Sequence, residues 1–273
     1  MPISHAVLLA LIQALTEFLP ISSSAHLALA PWLFGWEADQ GLAFDVALHV
    51  GTLLAVVVYF ARDWLQIVAH GFGLCWGSDE ELRRNPRLLW YLAAGSVPVG
   101  ISGYLLKEHA ETTFRNPFLI ATMLISVALL MWWADRRAGH GRSLQHIDIT
   151  DSLIIGGAQA LAVLPGTSRS GITITAGLFR HLDRSSAARF SFLLSTPAVA
   201  GAGAKAAYDL YKAGGIGPGM AGPMLTGIAV SAVAGIVVIH LLLEFLRRHG
   251  LMVFVWYRIA LGFLVLALAL GQR

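Results

Sequence analysis

A chain of 273 residues that is 56% hydrophobic and only 13% charged, with a mean hydropathy of +0.68, has too little polar surface to clothe a water-soluble globule. Its net charge of +3 and pI near 9.2 would suggest nucleic acid in a soluble protein, but here the arginines sit in short loops between apolar runs, where they orient helices, and nucleic acid is excluded as a partner. Cys75 is the single cysteine, which excludes disulfide frameworks and cysteine-based metal sites.

The first apolar stretch carries no Lys or Arg before Arg62 and is interrupted by Glu17, a pattern that argues against a cleaved signal peptide. It runs through Gln13-Ala-Leu-Thr-Glu17-Phe-Leu-Pro20-Ile-Ser22-Ser23-Ser24-Ala-His26: an apolar helix, a proline stop, a hydroxyl-rich turn and a second apolar helix. Each arm is shorter than the roughly 20 residues that cross a bilayer, which predicts a re-entrant hairpin over about residues 3–34. Spans at about 45–61, 88–106 and 117–134 complete a first unit, residues 1–134. The pattern then repeats in Gln159-Ala-Leu-Ala-Val-Leu-Pro165-Gly166-Thr167-Ser168-Arg169-Ser170-Gly171, which predicts a second hairpin over about 152–180. Spans at about 189–206, 222–245 and 251–270 complete a second unit, residues 152–270. Superposing the two Gln-Ala-Leu triplets brings the prolines within one residue of each other.

The basic residues assign the sides. Twelve arginines (62, 83, 84, 87, 136, 137, 142, 180, 184, 189, 247 and 248) fall in loops or helix ends on one face, against Lys107, Arg115, Lys205, Lys212 and Arg273 on the other. By the positive-inside rule the first face is cytoplasmic, with the charged stretch from Ser78 to Arg87 on it and the glycine-rich linker from Gly214 to Gly219 outside. The expected architecture is an all-α polytopic membrane protein, one membrane domain over 1–273, with six transmembrane helices and two re-entrant helical hairpins in an inverted-topology repeat. The first hairpin dips in from outside and the second from the cytoplasmic face. Trp36, Trp64, Trp90, Trp132, Trp133 and Trp256 read as interfacial anchors, and Arg258 as a side chain that snorkels to the interface.

Polar groups at membrane depth are costly, so those gathered at the two hairpin tips mark a functional site. A half-helix that begins after Pro20 or Pro165 presents free backbone N–H groups and a positive dipole end, which favour an anion. With the guanidinium fork of Arg169 among Gly166, Thr167, Ser168, Ser170 and Gly171, the two ends form a receptacle for phosphate or diphosphate. Gln13 and Glu17, four apart on one helix face, either hold Mg²⁺ or Ca²⁺ against that anion or leave Glu17 to orient His26. Ser23 and His26, three apart, share a face as a hydroxyl and a base, the minimal unit of an activated nucleophile, with Ser22 and Ser24 as competitors for the hydroxyl or as helix caps. Arg169 paired with Glu17 is a structural alternative, and Asp45 and His49 are expected behind the site.

The motifs from Gln13 to His26 and from Pro165 to Gly171 together resemble those of the undecaprenyl-diphosphate phosphatase family, the bacitracin-resistance type of membrane lipid phosphatase, over essentially the whole chain. Gln13 stands where the family pattern allows Glu or Gln, which leaves one carboxylate rather than two. The resemblance implies hydrolysis of undecaprenyl diphosphate to undecaprenyl phosphate on the outer side of the bacterial cytoplasmic membrane, in support of cell-wall polymer synthesis. It implies dependence on a divalent cation, a homodimer, and essential roles for Glu17, Ser23, His26 and Arg169, with the nucleophile either Ser or His. The rival expectation, from the inverted repeat itself, is a transporter or flippase of an isoprenoid phosphate.

Overall fold

The computed structural model describes residues 1–33, 42–106, 109, 113–138, 141–212 and 219–271, and its regular elements are helices. Trp36, Lys107, Arg273 and residues 214–218 of the glycine-rich linker lie outside the described residues. The first arm, α1 (Ile3–Phe18), turns at Pro20 into α2 (Ser23–Leu33). Next come α3 (Leu42–Tyr59), α4 (Ala61–Gly71), the single turn α5 (Glu80–Arg83), α6 (Leu88–Leu105) and α7 (Pro117–Arg137). The second half holds α8 (Ile149–Ala160), α9 (Arg169–Phe179), α10 (Arg184–Lys212), α11 (Ala221–Arg248) and α12 (Met252–Gly271).

Four helices, α6, α7, α11 and α12, are long and apolar enough to cross a bilayer, and α3 with α4 raises this to five if the pair, bent by 68°, is one span. The span expected at 189–206 falls on α10, which is long enough but not apolar enough by composition. From Ser186 to Thr196 the helix is almost wholly buried by its neighbours and mixes Phe190, Phe192, Leu193 and Leu194 with serines and a threonine, and beyond it the helix is rich in Ala and Gly and carries Lys205 and Lys212.

Loop arginines gather at one end of the bundle. Arg142 and Arg180 both grip Asp151, at 2.8 and 2.7 Å, while Arg184 binds Asp135 at 2.6 Å and Arg189 reaches Asp63 and Asp79 at 2.7 and 2.9 Å. Asp135 also accepts the Leu251 amide, and Asn85 donates to the Leu144 and Ile147 carbonyls, which ties these loops to one another. Asp151 closes a capping box with Asp148 at the start of α8, while its partner Arg180 follows the end of α9. The chain therefore enters and returns at the same end through this hairpin. In the other hairpin, Ala6 and Leu9 pack with Phe44, Leu48 and Met224, and Leu29 packs with Ile120 and Val265. Those neighbours lie at the opposite ends of their helices from Asp63, Arg248 and Leu251.

Partners between the halves are matched: α1 packs along α11 as α8 packs along α6, α3 meets α10, and α7 meets α12. At the α6–α8 crossing a Cβ on Gly156 would stand 2.0 Å from the Gly95 carbonyl oxygen, so the two backbones are in contact. Gly156→Ala should therefore force the helices apart and lower the midpoint of thermal unfolding in detergent. Gly157→Ala, beside it with open space around the new methyl, should leave that midpoint equal or raised by helix propensity.

Trp90, Trp133 and Trp256 are exposed as anchors should be, and Arg136 and Arg137 lie over the rings of Trp132 and Trp133. Trp64 departs from the expectation: it packs against the core with its indole nitrogen buried.

Candidate active site

The tips of the two hairpins meet inside the bundle, and both are built in the same way. Ser22 and Ser168 each lie nine residues after the Gln of their repeat, and each has a left-handed backbone, with φ of 78° and 67°. Such a conformation costs a non-glycine residue on the order of 1–3 kcal/mol and persists where surrounding contacts dictate it. The half-helices α2 and α9 begin at the next residue, with Ser168 accepting the Gly171 amide as an N-cap.

Glu17, at the end of α1, is the centre of the polar cluster, with its side chain only 10% exposed. Its Oε2 accepts the Ser23 hydroxyl at 2.6 Å and the Gln13 amide at 3.2 Å, and its Oε1 lies 3.8 Å from Arg169 Nη2. His49 Nε2 stands 4.0 Å from Oε2, while its Nδ1 donates to the Asp45 carbonyl. Gln13, Glu17, Ser23 and Arg169 are thus brought together, with His49 behind them.

His26 is not part of that cluster. Its Nδ1 lies 2.7 Å from the Ser22 carbonyl and its Nε2 2.7 Å from the Tyr257 hydroxyl, on a ring nearly parallel to its own. The expected Ser23–His26 hydrogen bond is replaced by Ser23–Glu17, and Glu17 does not orient His26. Ser23 and His26 share the first turn of α2, but the Ser23 side chain points back across the turn to Glu17 on α1 and the imidazole is engaged by the Ser22 carbonyl and Tyr257.

The serines of the anion receptacle mostly stitch backbone. Ser24 Oγ accepts the Gly166 amide and bonds Ser22 Oγ, and Ser170 donates to the Leu19 carbonyl. Gly166, with φ of 91°, brings its Cα so close to α7 that a Cβ would stand 2.4 Å from the Ile120 carbonyl oxygen. Among the described residues, five buried polar atoms of the two hairpins have no hydrogen-bond partner: Gln13 Oε1, both side-chain polar atoms of Gln159, Thr167 Oγ1 and Arg169 Nη1. An unpaired guanidinium nitrogen and hydroxyl next to two helix starts suit an oxyanion.

Arg258 overturns the snorkelling expectation. Its side chain is fully buried, and Nη2 donates to the carbonyls of Gly166 (2.9 Å), Thr167 (3.1 Å) and Met123 (3.3 Å), Nη1 to Pro20 (3.3 Å) and Nε to Leu124 (3.2 Å). One guanidinium therefore bolts both hairpin tips to α7. The site's other unforeseen contributors are Thr52 of α3 and Ser191, Ser195 and Thr196 of α10, which line the cleft with Glu17 and Arg169. Their helical spacing in an apolar stretch was the available signal. The cleft holds about 20 Å³, room for one water, above a floor of Phe18 and Phe192.

Among the described residues no three His, Cys, Asp or Glu side chains form a metal cage. The donor set nonetheless fits a hard cation: the Glu17 carboxylate and the unpaired, buried Gln13 oxygen are two oxygen ligands that would hold it.

The match of residues 6–264 to the model of the bacitracin resistance protein BacA covers both tips and the helices that carry them. The chain belongs to the BacA family. Relatives named undecaprenyl-diphosphatase come from Pelotomaculum thermopropionicum, 45% identical over 100% of this chain and 99% of the relative, and Geobacter metallireducens, 48% identical over 98% of each. Another, from Moorella thermoacetica, is 46% identical over 98% of both chains. Within the BacA family, then, the resemblance read from the hairpin motifs extends over the full length.

Proposed function

We propose that this protein is an undecaprenyl-diphosphatase, a membrane hydrolase that converts undecaprenyl diphosphate to undecaprenyl phosphate and inorganic phosphate. The observation that carries the chemistry is the 2.6 Å bond from the Ser23 hydroxyl to the Glu17 carboxylate, beside the unpaired Arg169 nitrogen. The relatives' names carry the substrate.

In this reading Ser23 Oγ attacks the terminal phosphorus, its proton passes to Glu17, and the bridging P–O bond breaks with the electron pair leaving on the prenyl phosphate, which takes that proton. Water then attacks the phosphoserine; Glu17 accepts the water's proton and returns it to Ser23 as phosphate departs. Arg169, with the helix starts of α2 and α9, stabilises the charge that develops on the equatorial oxygens. A Mg²⁺ or Ca²⁺ ion held by Glu17 and Gln13 would supply further charge neutralisation when bound.

Support for an inverted repeat of six spans and two re-entrant hairpins comes from the matched packing of the halves and the opposite ends at which the two hairpins enter. By the positive-inside rule the arginine-rich end is cytoplasmic, and the aromatic floor of Phe18 and Phe192 then leaves the cleft facing the outer side of the bacterial inner membrane. A homodimer is the expected assembly.

Purified protein incubated with farnesyl or undecaprenyl diphosphate, with and without Mg²⁺ or Ca²⁺, should release phosphate in a cation-dependent way. Ser23→Ala should release almost none; retention of near wild-type rates would remove Ser23 from the chemistry. One observation favours a second reading, transport of an isoprenoid phosphate. Beyond the aromatic floor lies a polar vestibule of about 720 Å³, lined by Asp63, Asp79, Arg189 and Glu244. Flipping of a labelled prenyl phosphate in liposomes without phosphate release would support transport instead.

A further inference from the structure

We infer that Tyr257 is a positioning residue for His26, its hydroxyl holding the imidazole at the ring nitrogen opposite the one that the Ser22 carbonyl engages. The first half of the argument is the Ser22 carbonyl, 2.7 Å from His26 Nδ1. A carbonyl only accepts, so Nδ1 carries the hydrogen. In the neutral ring Nε2 is then an acceptor, and the group 2.7 Å from it, the Tyr257 hydroxyl, donates. The rings lie nearly parallel and side by side, with 9° between their planes and centroids 5.6 Å apart, so the imidazole is held at both nitrogens.

The backbone is shaped for this arrangement. The left-handed φ of Ser22, which no glycine is present to relieve, turns the chain where its carbonyl meets the imidazole. The next residue along α12, Arg258, binds the Pro20 carbonyl two residues before Ser22. Consecutive side chains of the last helix therefore hold the first turn, one by its backbone and the other through His26. Because both nitrogens of His26 are engaged and neither partner is Ser23 or Glu17, the imidazole contributes through this tether and not as the base for Ser23.

The functional consequence rests on the phosphatase reading, but the tether itself does not, and two measurements separate them. Tyr257→Phe preserves the ring and removes only the hydroxyl. In protein labelled with ¹⁵N-histidine, wild type should show His26 as the Nδ1–H tautomer with a hydrogen-bonded Nε2, and Tyr257→Phe should move the Nε2 resonance toward that of a free acceptor. With farnesyl diphosphate, Tyr257→Phe should lower kcat with KM little changed, because the turn that presents Ser23 loses one of its two ties to α12. In a His26→Asn background the same substitution should have no further effect. An unchanged His26 spectrum, or an equal loss of rate in both backgrounds, would overturn the inference. Wild-type protein that releases no phosphate would sink the phosphatase reading, and the spectrum would still decide the tether.

Discussion

Glu17→Gln should lower the rate of phosphate release by roughly 10²- to 10⁴-fold, the range that general-base catalysis supplies. The substitution keeps the size of the side chain and its capacity to accept the Ser23 hydroxyl, but it removes the basicity that takes the proton and the negative charge that faces Arg169 at 3.8 Å. Arg169→Met should cost roughly 10²- to 10³-fold, as for other donors aimed at developing charge. The two losses should be less than additive, since each group works on the same phosphoryl transfer. Initial rates on farnesyl diphosphate in detergent, with circular dichroism to establish that each variant is folded, provide the comparison. Release by Glu17→Gln within a few-fold of wild type would remove the carboxylate from the reaction.

Arg258→Met should have the largest effect on stability of any single substitution at the site. It leaves the Pro20, Gly166 and Thr167 carbonyls without their guanidinium donor inside the bundle. An unsatisfied buried polar group costs about 1–3 kcal/mol, so the summed loss is several kcal/mol. At roughly 2–4 °C per kcal/mol for chains of about this size, the unfolding midpoint should fall by about 10 °C. Phosphate release should be lost as well, because the strained turns at Ser22 and Ser168 no longer have the clamp that holds them together. Arg258→Lys should fall between the two, since an ammonium retains the charge but cannot span donors from Pro20 to Thr167 as a planar fork does. Differential scanning fluorimetry in detergent gives both midpoints; a wild-type midpoint for Arg258→Met would show that the carbonyls find other partners.

Much of the centre of the site was legible because Glu17 and Arg169 are out of place in apolar surroundings, and Ser23 and Gln13 lie close to Glu17 along the chain. Residue chemistry at close sequence range carries that information. Arg258 and Tyr257 carried no such mark: an arginine flanked by aromatic and aliphatic residues in the last span has the same local pattern whether it reaches for the interface or for carbonyls more than 90 residues away in sequence. The Ser23–His26 pairing failed for a different reason: both side chains lie in the first turn of α2, but Glu17 takes the hydroxyl and the Ser22 carbonyl and Tyr257 take the imidazole. For α10, hydropathy falls short because serines, a threonine and Arg189 interrupt its buried stretch and alanine, glycine and lysine dominate the part beyond Thr196. Four of the loop arginines, Arg142, Arg180, Arg184 and Arg189, do gather at one end of the bundle, where Asp63, Asp135 and Asp151 draw them.

The bolt that joins the two hairpin tips has a bearing on biosynthesis. A chain emerging from the ribosome presents Glu17 and Ser23 first, Arg169 midway and Arg258 nearly last. Until the final helix enters the bilayer, the Pro20, Gly166 and Thr167 carbonyls have no common donor, and the two tips are held to each other only by the Ser24–Gly166, Ser170–Leu19 and Glu17–Arg169 contacts. Hydrolytic competence would therefore be acquired at the end of insertion, in one step, and partly inserted chains would sit in the membrane as inert intermediates.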